Sequence, residues 1–498
     1  MQILRRSLLS LLAACALTVQ AGLIAQSPAP GKAVAAAPAK IPALFLSDIH
    51  LDPFADPAKA ARLNAAPAAE WPTILSAPDS PTQAKEFAAL QEACPTRGID
   101  TPYVLWQSSL MAIRADAART RFITLSGDLL AHSFDCKYKA LLPTATPSQF
   151  LAFTEKTVRT IVFTLRAALP GVPLYIAMGN NDSGCGDYQL DATHDAFLGL
   201  VSKIIGEALP GDLPASERAA AVRDFSAGGN YSVPLAGVPH TRLLVIDDLF
   251  FSAKYSTCSG KPDAAPASAQ LAWLAGQIAA ARQHGDLVWV MGHIPPGVNL
   301  FATVRNLANV CAGTKPQMFL ANESLAELLA QNADVVRLAI FGHTHDDEMR
   351  LLRRDSTAAS AHGSALGVPV KVVASITPIN GNRPSFTLAA IDPATATLTD
   401  YTVFMASNTT GAATTWPSEY SYSTTYHEPA FDAASLARLI PTLQSDGAAK
   451  TLASQAYLRN YFPGDISTVI QVAWPQYACS LDHDSAASFT ACACAAGK

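Results

Sequence analysis

The chain has 498 residues, 50% of them hydrophobic and only 15% charged, with a formal net charge of −5. That is enough apolar material for one large core, in a single big domain or in a domain with an appendage. No basic block or stripe is present, which argues against specific nucleic-acid binding driven by electrostatics.

At the N-terminus, Arg5 and Arg6 precede the apolar run SLLSLLAACALTVQAGLIA. This is the pattern of an export signal, with Val19-Gln20-Ala21 as a small-residue cleavage site and Ala25 as a second choice. Residues 1–25 are therefore expected to be a signal peptide, followed by an Ala/Pro linker at 26–40, and the mature chain to be secreted or periplasmic. One competing reading is an uncleaved anchor, since Ser7 to Ala25 nearly reaches the ~20 residues of a membrane span. Another is lipid attachment at Cys15, disfavoured because the apolar run continues past it. No other segment reads as transmembrane, so no stable span is expected once the signal is removed.

Signal removal takes Cys15 and leaves Cys94, Cys136, Cys185, Cys258, Cys311, Cys479, Cys492 and Cys494. An even number in an exported chain favours disulfides, and the long irregular spacings argue against a zinc knot. The pairing is not readable from sequence. The Cys479/Cys492/Cys494 group is expected to staple its own lobe, with room for one member to reach elsewhere.

From Ile41 onward, short apolar runs alternate with longer helical patterns. The strand candidates are ALFLS, RFITLS, PLYIAM, TRLLVI, LVWVMG, RLAIFG and VKVVAS, and residues 386–404 read as a hairpin. Amphipathic stretches such as Thr154–Leu169 and Leu271–Gln283 lie between them, so the core is α/β. Residues 52–100, rich in Pro and Ala, are expected as a long insertion near the first strand. The catalytic domain is placed at 41–405 and a Ser/Thr-rich separator at about 406–426. A C-terminal helical lobe clamped by cysteines is placed at 426–498, where FDAASLARLIPTLQS and KTLASQAYLRNYF have helical period.

Five strand candidates end in polar residues of one kind. LFLSDIH supplies Asp48 and His50; FITLSGDLLAH supplies Asp128 and His132; YIAMGNND supplies Asn180, Asn181 and Asp182. VWVMGHIPPG supplies His293, and LAIFGHTHDDEM supplies His343 and His345. Ligands of open α/β sheets gather beyond the carboxyl ends of strands. Residues two apart on an extended chain face the same side, so Asp48/His50 and His343/His345 are expected to present paired donors to one pocket. Asp128 suits a bridge, because a carboxylate between two cations offsets their repulsion. Imidazoles suit zinc, iron or manganese, while carboxylate and amide oxygens tolerate harder ions. Asp48, His50, Asp128, Asn180, His293, His343 and His345 are together about the number that two divalent ions ~3.5–4 Å apart require. Taken singly, Asp-x-His is more often a turn or cap, Gly-Asp and Gly-Asn-Asn are more often turns, and Asp346, Asp347 and Glu348 read as a solvated turn. The ordered conjunction of all five segments carries the metal reading.

The order D-x-H, G-D, G-N, G-H, G-H-x-H resembles the calcineurin-like metallophosphoesterase superfamily over roughly residues 43–405. GDLLAH, GHIPPG, FGHTHDDEM and ACPTRGIDTPYVLWQSSL, together with a cysteine-bearing C-terminal lobe, are similar to the acid sphingomyelinase-like phosphodiesterases. The resemblance implies a four-layer α/β sandwich, two mixed β-sheets flanked by helices, with a small helical lobe at the C-terminus. It implies two divalent metal ions, zinc in the first place and iron or manganese as alternatives. Asp48, His50 and His345 would hold one, Asn180, His293 and His343 the other, and Asp128 would bridge them. A hydroxide between the metals would attack phosphorus in line.

The match departs from the superfamily at Asn181, where the usual Gly-Asn-His-Asp/Glu pattern has a histidine assigned to leaving-group protonation or transition-state stabilisation. An amide donates a hydrogen bond but supplies no proton near neutral pH. The catalytic acid then falls to His132, with a supporting role beside the metals as its alternative, and Asn181 remains a hydrogen-bond donor. Gly-Asn-Asn-Asp also resembles the fungal endopolyphosphatases of the same branch, so the change need not abolish activity. The expected substrate is a phosphoester, either a phospholipid headgroup or a soluble diester such as a nucleotide. About fifteen residues separate the signal from the first strand, too few for a saposin-like lipid-presenting module, which tilts the expectation toward soluble substrates. A phosphomonoesterase or polyphosphatase on the same site is the alternative. A non-catalytic binding protein is disfavoured because every ligand type is retained.

Overall fold

The computed structural model describes residues 39–192, 195–306, 309–354, 366–463 and 471–495. The expected signal segment, and the linker as far as residue 38, lie outside them.

Among the described residues, twelve strands form two six-stranded mixed sheets. They are β1 (Ile41–Leu46), β2 (Ile123–Ser126), β3 (Leu174–Ala177), β4 (Tyr231–Pro234), β5 (Thr241–Val245) and β6 (Leu287–Met291). The second half holds β7 (Val336–Phe341), β8 (Glu348–Arg353), β9 (Gly367–Val372), β10 (Ser385–Asp392), β11 (Thr397–Met405) and β12 (Ser418–Ser421). One sheet has the order β12-β11-β10-β1-β2-β3, the other β4-β5-β6-β7-β9-β8. Strands β1, β2 and β3 run parallel, as do β5, β6, β7 and β9. Their carboxyl ends therefore deliver several loops to one edge of the sandwich.

The layering follows from alternation along each strand. In β6, Trp289 and Met291 join the core between the sheets, while Val288 and Val290 join Leu274, Ile278 and Ala281 of helix Ala265–His284 on the outside. Trp289 meets Phe45 and Phe122 edge-on, with ring centroids 6.2 and 6.1 Å away, which fastens one sheet to the other. The insertion after β1 is helical and not merely a loop. Its Phe54 and Trp71 pack on Phe153 of helix Pro147–Ala168.

The strands expected from apolar runs are all present, as is the 386–404 hairpin. Three strands are additional: β4, β8 and β12. The last lies inside the Ser/Thr-rich stretch, where Ser418–Ser421 pairs antiparallel with β11. Asp347 and Glu348 are not a solvated turn: both are buried, and Glu348 opens β8. Asp347 pairs with Lys371, and Arg350 donates to Glu348 Oε2 at 2.6 and 2.9 Å.

Helices Ala433–Ser445, Leu452–Tyr461, Trp474–Ser480 and Ala486–Ala495 follow. They cover this charged region, with Asp347 N donating to Tyr461 O and Leu351 N to Leu481 O, each at 2.8 Å. The disulfides are Cys94–Cys136, Cys185–Cys258, Cys311–Cys494 and Cys479–Cys492. The terminal cysteines thus staple their own helices and also reach back to the segment after β6. Among the described residues, no helix is long and apolar enough to cross a membrane.

Candidate metal centre

Six of the seven residues proposed from sequence as metal ligands converge at the carboxyl ends of the parallel strands, and the seventh, Asn180, lies in the loop after β3 between Gly179 and Asn181, both of which approach Asp128. The side-chain donors of Asp48, His50, Asp128 and His345 lie within 4.8 Å of one another, and so do those of Asp128, His293 and His343. The two groups share Asp128. His50 Nε2 and His293 Nε2 flank the same carboxylate oxygen, Asp128 Oδ2, at 3.3 and 3.2 Å. His345 Nε2 stands 3.3 Å from Asp48 Oδ1.

The Asp-x-His and His-x-His pairs do not achieve this on extended chain, as the spacing suggested. Asp48, His50, His343 and His345 have φ of 47°, 43°, 73° and 66°, and Asp128 has 54°. Each lies just past its strand in the left-handed region, which costs a non-glycine residue about 1–2 kcal/mol. Such strain persists where the surroundings over-determine it, and it gathers at functional sites. Here the restraint is visible. Asp48 N donates to Gly127 O and His50 N to Asp128 O, both at 3.0 Å, locking the β1 loop onto the β2 loop. His343 N donates to Asp48 Oδ2 at 3.0 Å. The glycines before the ligands are needed for close approach: a Cβ at Gly179 would collide with Asp128, and one at Gly342 with Ser47 and Asp48.

The donor chemistry fits divalent cations. His50 Nδ1 is 2.7 Å from Leu130 O and His293 Nδ1 2.7 Å from Ser126 O. A carbonyl only accepts, so each Nδ1 carries a hydrogen and Nε2 is the ring atom turned to the cluster, where an ion would displace the proton that Asp128 favours on both rings. His50 Nε2, His293 Nε2 and Asn180 Oδ1 are buried without a hydrogen-bond partner, an arrangement that is costly unless something else occupies them. Burial, and then the neighbouring His293, push the pKa of His343 down to about 3; burial also lowers His345. These two imidazoles are therefore in the neutral form that coordinates metal. Burial opposes charge on His293 as well, but Asp128 outweighs it and raises the pKa to about 10. In return, Asp128 is held well below the ordinary carboxylate range against its burial, by His293 and His50.

Asn181 donates to Asp128 twice, from its backbone N to Oδ1 and from Nδ2 to Oδ2, both at 2.9 Å. His132 stacks on His50 with ring centroids 4.1 Å apart, and His50, His132 and His345 have nitrogens within 4.8 Å of one another. Its side chain is 30% exposed, on the open side of the cluster.

Behind these residues stand three carboxylates: Asp182, named from sequence at a strand end but given no role, and Asp248 and Asp100, which were not singled out. Asp182 accepts from Leu129 N, Leu130 N and Gly179 N at 2.8–3.0 Å and so ties the β2 loop to the β3 loop. Asp248 accepts from His293 N at 2.8 Å and Ile294 N at 3.0 Å. Burial pushes both up to about 7. Asp100 holds His132. Asp248 had a legible signal, since it follows the apolar run of β5 just as the ligands follow theirs.

Two parallel-centred sheets with two donor groups that share Asp128 at their edge have the layout of a dimetal phosphoesterase fold. The family model described as "Calcineurin-like phosphoesterase" matches residues 41–347, and the chain belongs to that family. It is a metal-dependent phosphoester hydrolase. Among characterised relatives it is 24% identical over 415 residues to human "Acid sphingomyelinase-like phosphodiesterase 3b", covering 80% of this chain and 81% of that protein. It is 22% identical over 333 residues to bovine "Cyclic GMP-AMP phosphodiesterase SMPDL3A", covering 66% of each. Among solved structures, a dimetal phosphatase from Danio rerio aligns over 77% of this chain and 100% of its own, with 11% identity and a TM-score of 0.41.

Proposed function

We propose that this protein is an exported phosphodiesterase of the acid sphingomyelinase-like type, working with two divalent ions, zinc in the first place. The observation that carries the reading is the sharing of Asp128 between two donor groups, since a bridging carboxylate is what a metal pair needs. In this reading Asp48, His50 and His345 hold one ion, and Asn180, His293 and His343 the other. When bound, the ions would supply a water activated near neutral pH and neutralise charge developing on the phosphoryl oxygens.

The chain's own residues do the rest. Asn181, through its two bonds to Asp128, fixes the plane of the bridging carboxylate. His132 has Nδ1 committed to Asp100, so Nε2 is the atom that delivers a proton to the departing oxygen. The names of the relatives favour a diester substrate, with a phospholipid headgroup or a nucleotide as the candidate classes. The disulfides fit an oxidising compartment outside the cytoplasm, in accord with the export signal.

A panel of sphingomyelin, cyclic dinucleotide, linear nucleotide diester, nucleoside monophosphate and polyphosphate, run with metal analysis of the purified protein, tests this. Turnover of a diester by protein holding about two ions per chain is expected. Turnover confined to monoesters or polyphosphate would instead identify the alternative activity.

A further inference from the structure

The loop after Asn180 bears on a question any asparagine ligand raises: which end of the amide faces the metal. The oxygen and nitrogen of a carboxamide are nearly the same size, so a 180° flip costs little in packing. Chemically the two ends are opposite, because only the oxygen has a lone pair to give. Asn180 is 4% exposed, and its Oδ1 is buried without a hydrogen-bond partner. Its Nδ2 donates to Asp187 Oδ1 at 2.7 Å. An ionised carboxylate accepts and does not donate, so the flipped amide would set oxygen against oxygen at this contact.

We propose that Asp187 is a positioning residue that locks the Asn180 amide with Oδ1 toward the second metal position. The inference rests on the reading of Asn180 as a ligand. The loop carrying Asp187 is built to hold that place. Tyr188 N donates to Asn180 O at 2.9 Å, and Tyr188 exchanges backbone bonds with its surroundings through Ser256 N, which donates to Tyr188 O at 3.1 Å. Leu190 N donates to Ser256 O at 3.1 Å, and the Cys185–Cys258 disulfide closes the same pair of segments. Tyr188 OH reaches to 3.4 Å from His343 Nε2, so one loop touches two of the residues assigned to the second ion. Asp187 itself is solvent-exposed at the rim, so replacing it leaves no hole in the core.

The test is metal retention, measured by elemental analysis after dialysis against a graded chelator, on the full mature chain loaded with zinc. Asp187→Leu should keep one ion as wild type does and lose the other at roughly 10–100-fold lower chelator strength, the usual size of such an outer contact. Asp187→Asn, which retains a carbonyl acceptor, should lose it less readily. The melting temperature of the metal-free protein should be unchanged in both. Asn180→Ala separates this inference from the reading beneath it. If Asn180→Ala loses the second ion while Asp187→Leu keeps both at wild-type affinity, the positioning role is overturned and the ligand stands. If Asn180→Ala itself keeps both ions, the ligand assignment fails and takes the positioning role with it.

Discussion

Asp100 grips His132 at two points: His132 N donates to Asp100 Oδ2 at 2.8 Å, and His132 Nδ1 lies 2.9 Å from Asp100 Oδ1. Asp100 is fully buried and accepts in addition from Thr377 Oγ1 at 3.2 Å, while Lys137 Nζ, bonded to Asp52 at 2.8 Å, stands 3.6 Å away. Burial opposes its charge, but His132 and then Lys137 outweigh it and hold the carboxyl well below the usual range. A charged acceptor fixed at Nδ1 keeps the hydrogen on that nitrogen and sets the orientation of the His132 ring.

If His132 protonates the leaving group, its loss should matter in proportion to how poor that group is. General acid catalysis contributes about 10²–10⁴-fold. His132→Ala should slow hydrolysis of an alkyl phosphodiester by that order and a p-nitrophenyl ester far less, with metal content unchanged. Equal losses on both esters would place His132 in substrate binding. Loss of an ion would make it a metal ligand beside His50 and His345.

Asp100→Asn should reproduce the leaving-group pattern of His132→Ala in weaker form, because the amide still occupies the site but can present its NH2 to Nδ1 and no longer fixes which ring nitrogen carries the hydrogen. It should also cost stability, by about 1–3 kcal/mol at pH 7 for a buried charged hydrogen-bond partner. The sign in pH follows from the lowered carboxyl. The ionised form favours the fold at every pH above about 4, the unfolded value, and that contribution fades as pH falls toward the folded value. Urea melts at pH 7 and pH 3 should show the gap between mutant and wild type narrowing in acid. A gap that widened would show that Asp100 is not ionised in the fold.

Asp128→Ala removes the oxygen that both donor groups share. Activity should fall to background and bound metal should drop below about two per chain. Full activity in this variant would contradict the assignment of the site.

Most of the sandwich was legible because its central strands are buried on both faces and read as unbroken apolar runs, LVWVM and RLAIF among them. β8 was not, since its Glu348, Arg350 and Arg353 look like surface. Glu348 and Arg350 pair with each other beneath the C-terminal helices, and Arg353 bonds Asp482 of those helices' lobe at 2.6 Å. β12 was lost in Ser/Thr composition, since its strand character comes from pairing with β11 and not from its own side chains. The residues that the fold brings together as candidate ligands were legible from Gly-Asp, Gly-Asn and Gly-His at strand ends. The conformation was not. The extended-chain argument for Asp48/His50 and His343/His345 gave convergence for the wrong backbone, because the left-handed turns are imposed by bonds between loops more than 70 residues apart, such as Asp48 N to Gly127 O. Asp100 and Asp187 act through partners that no spacing in the chain reveals.

The disulfides pair every cysteine from Cys94 to Cys494. Thiol titration of the unfolded, unreduced mature protein should find essentially none free. The Cys311–Cys494 bridge closes a loop of 183 residues, and removing it by Cys311→Ser should cost roughly 2–5 kcal/mol. Chemical denaturation of that variant at unchanged midpoint would show that the lobe is held by its packing alone.

A metal pair bridged by Asp128 should cleave phosphodiesters. The most direct test is kcat/KM for bis-p-nitrophenyl phosphate and for p-nitrophenyl phosphate, measured on one zinc-loaded preparation with Asp128→Ala as the blank. The diester should be the better substrate, and Asp128→Ala should hydrolyse neither. A clear preference for the monoester, or hydrolysis of the diester that survives in Asp128→Ala, would contradict it.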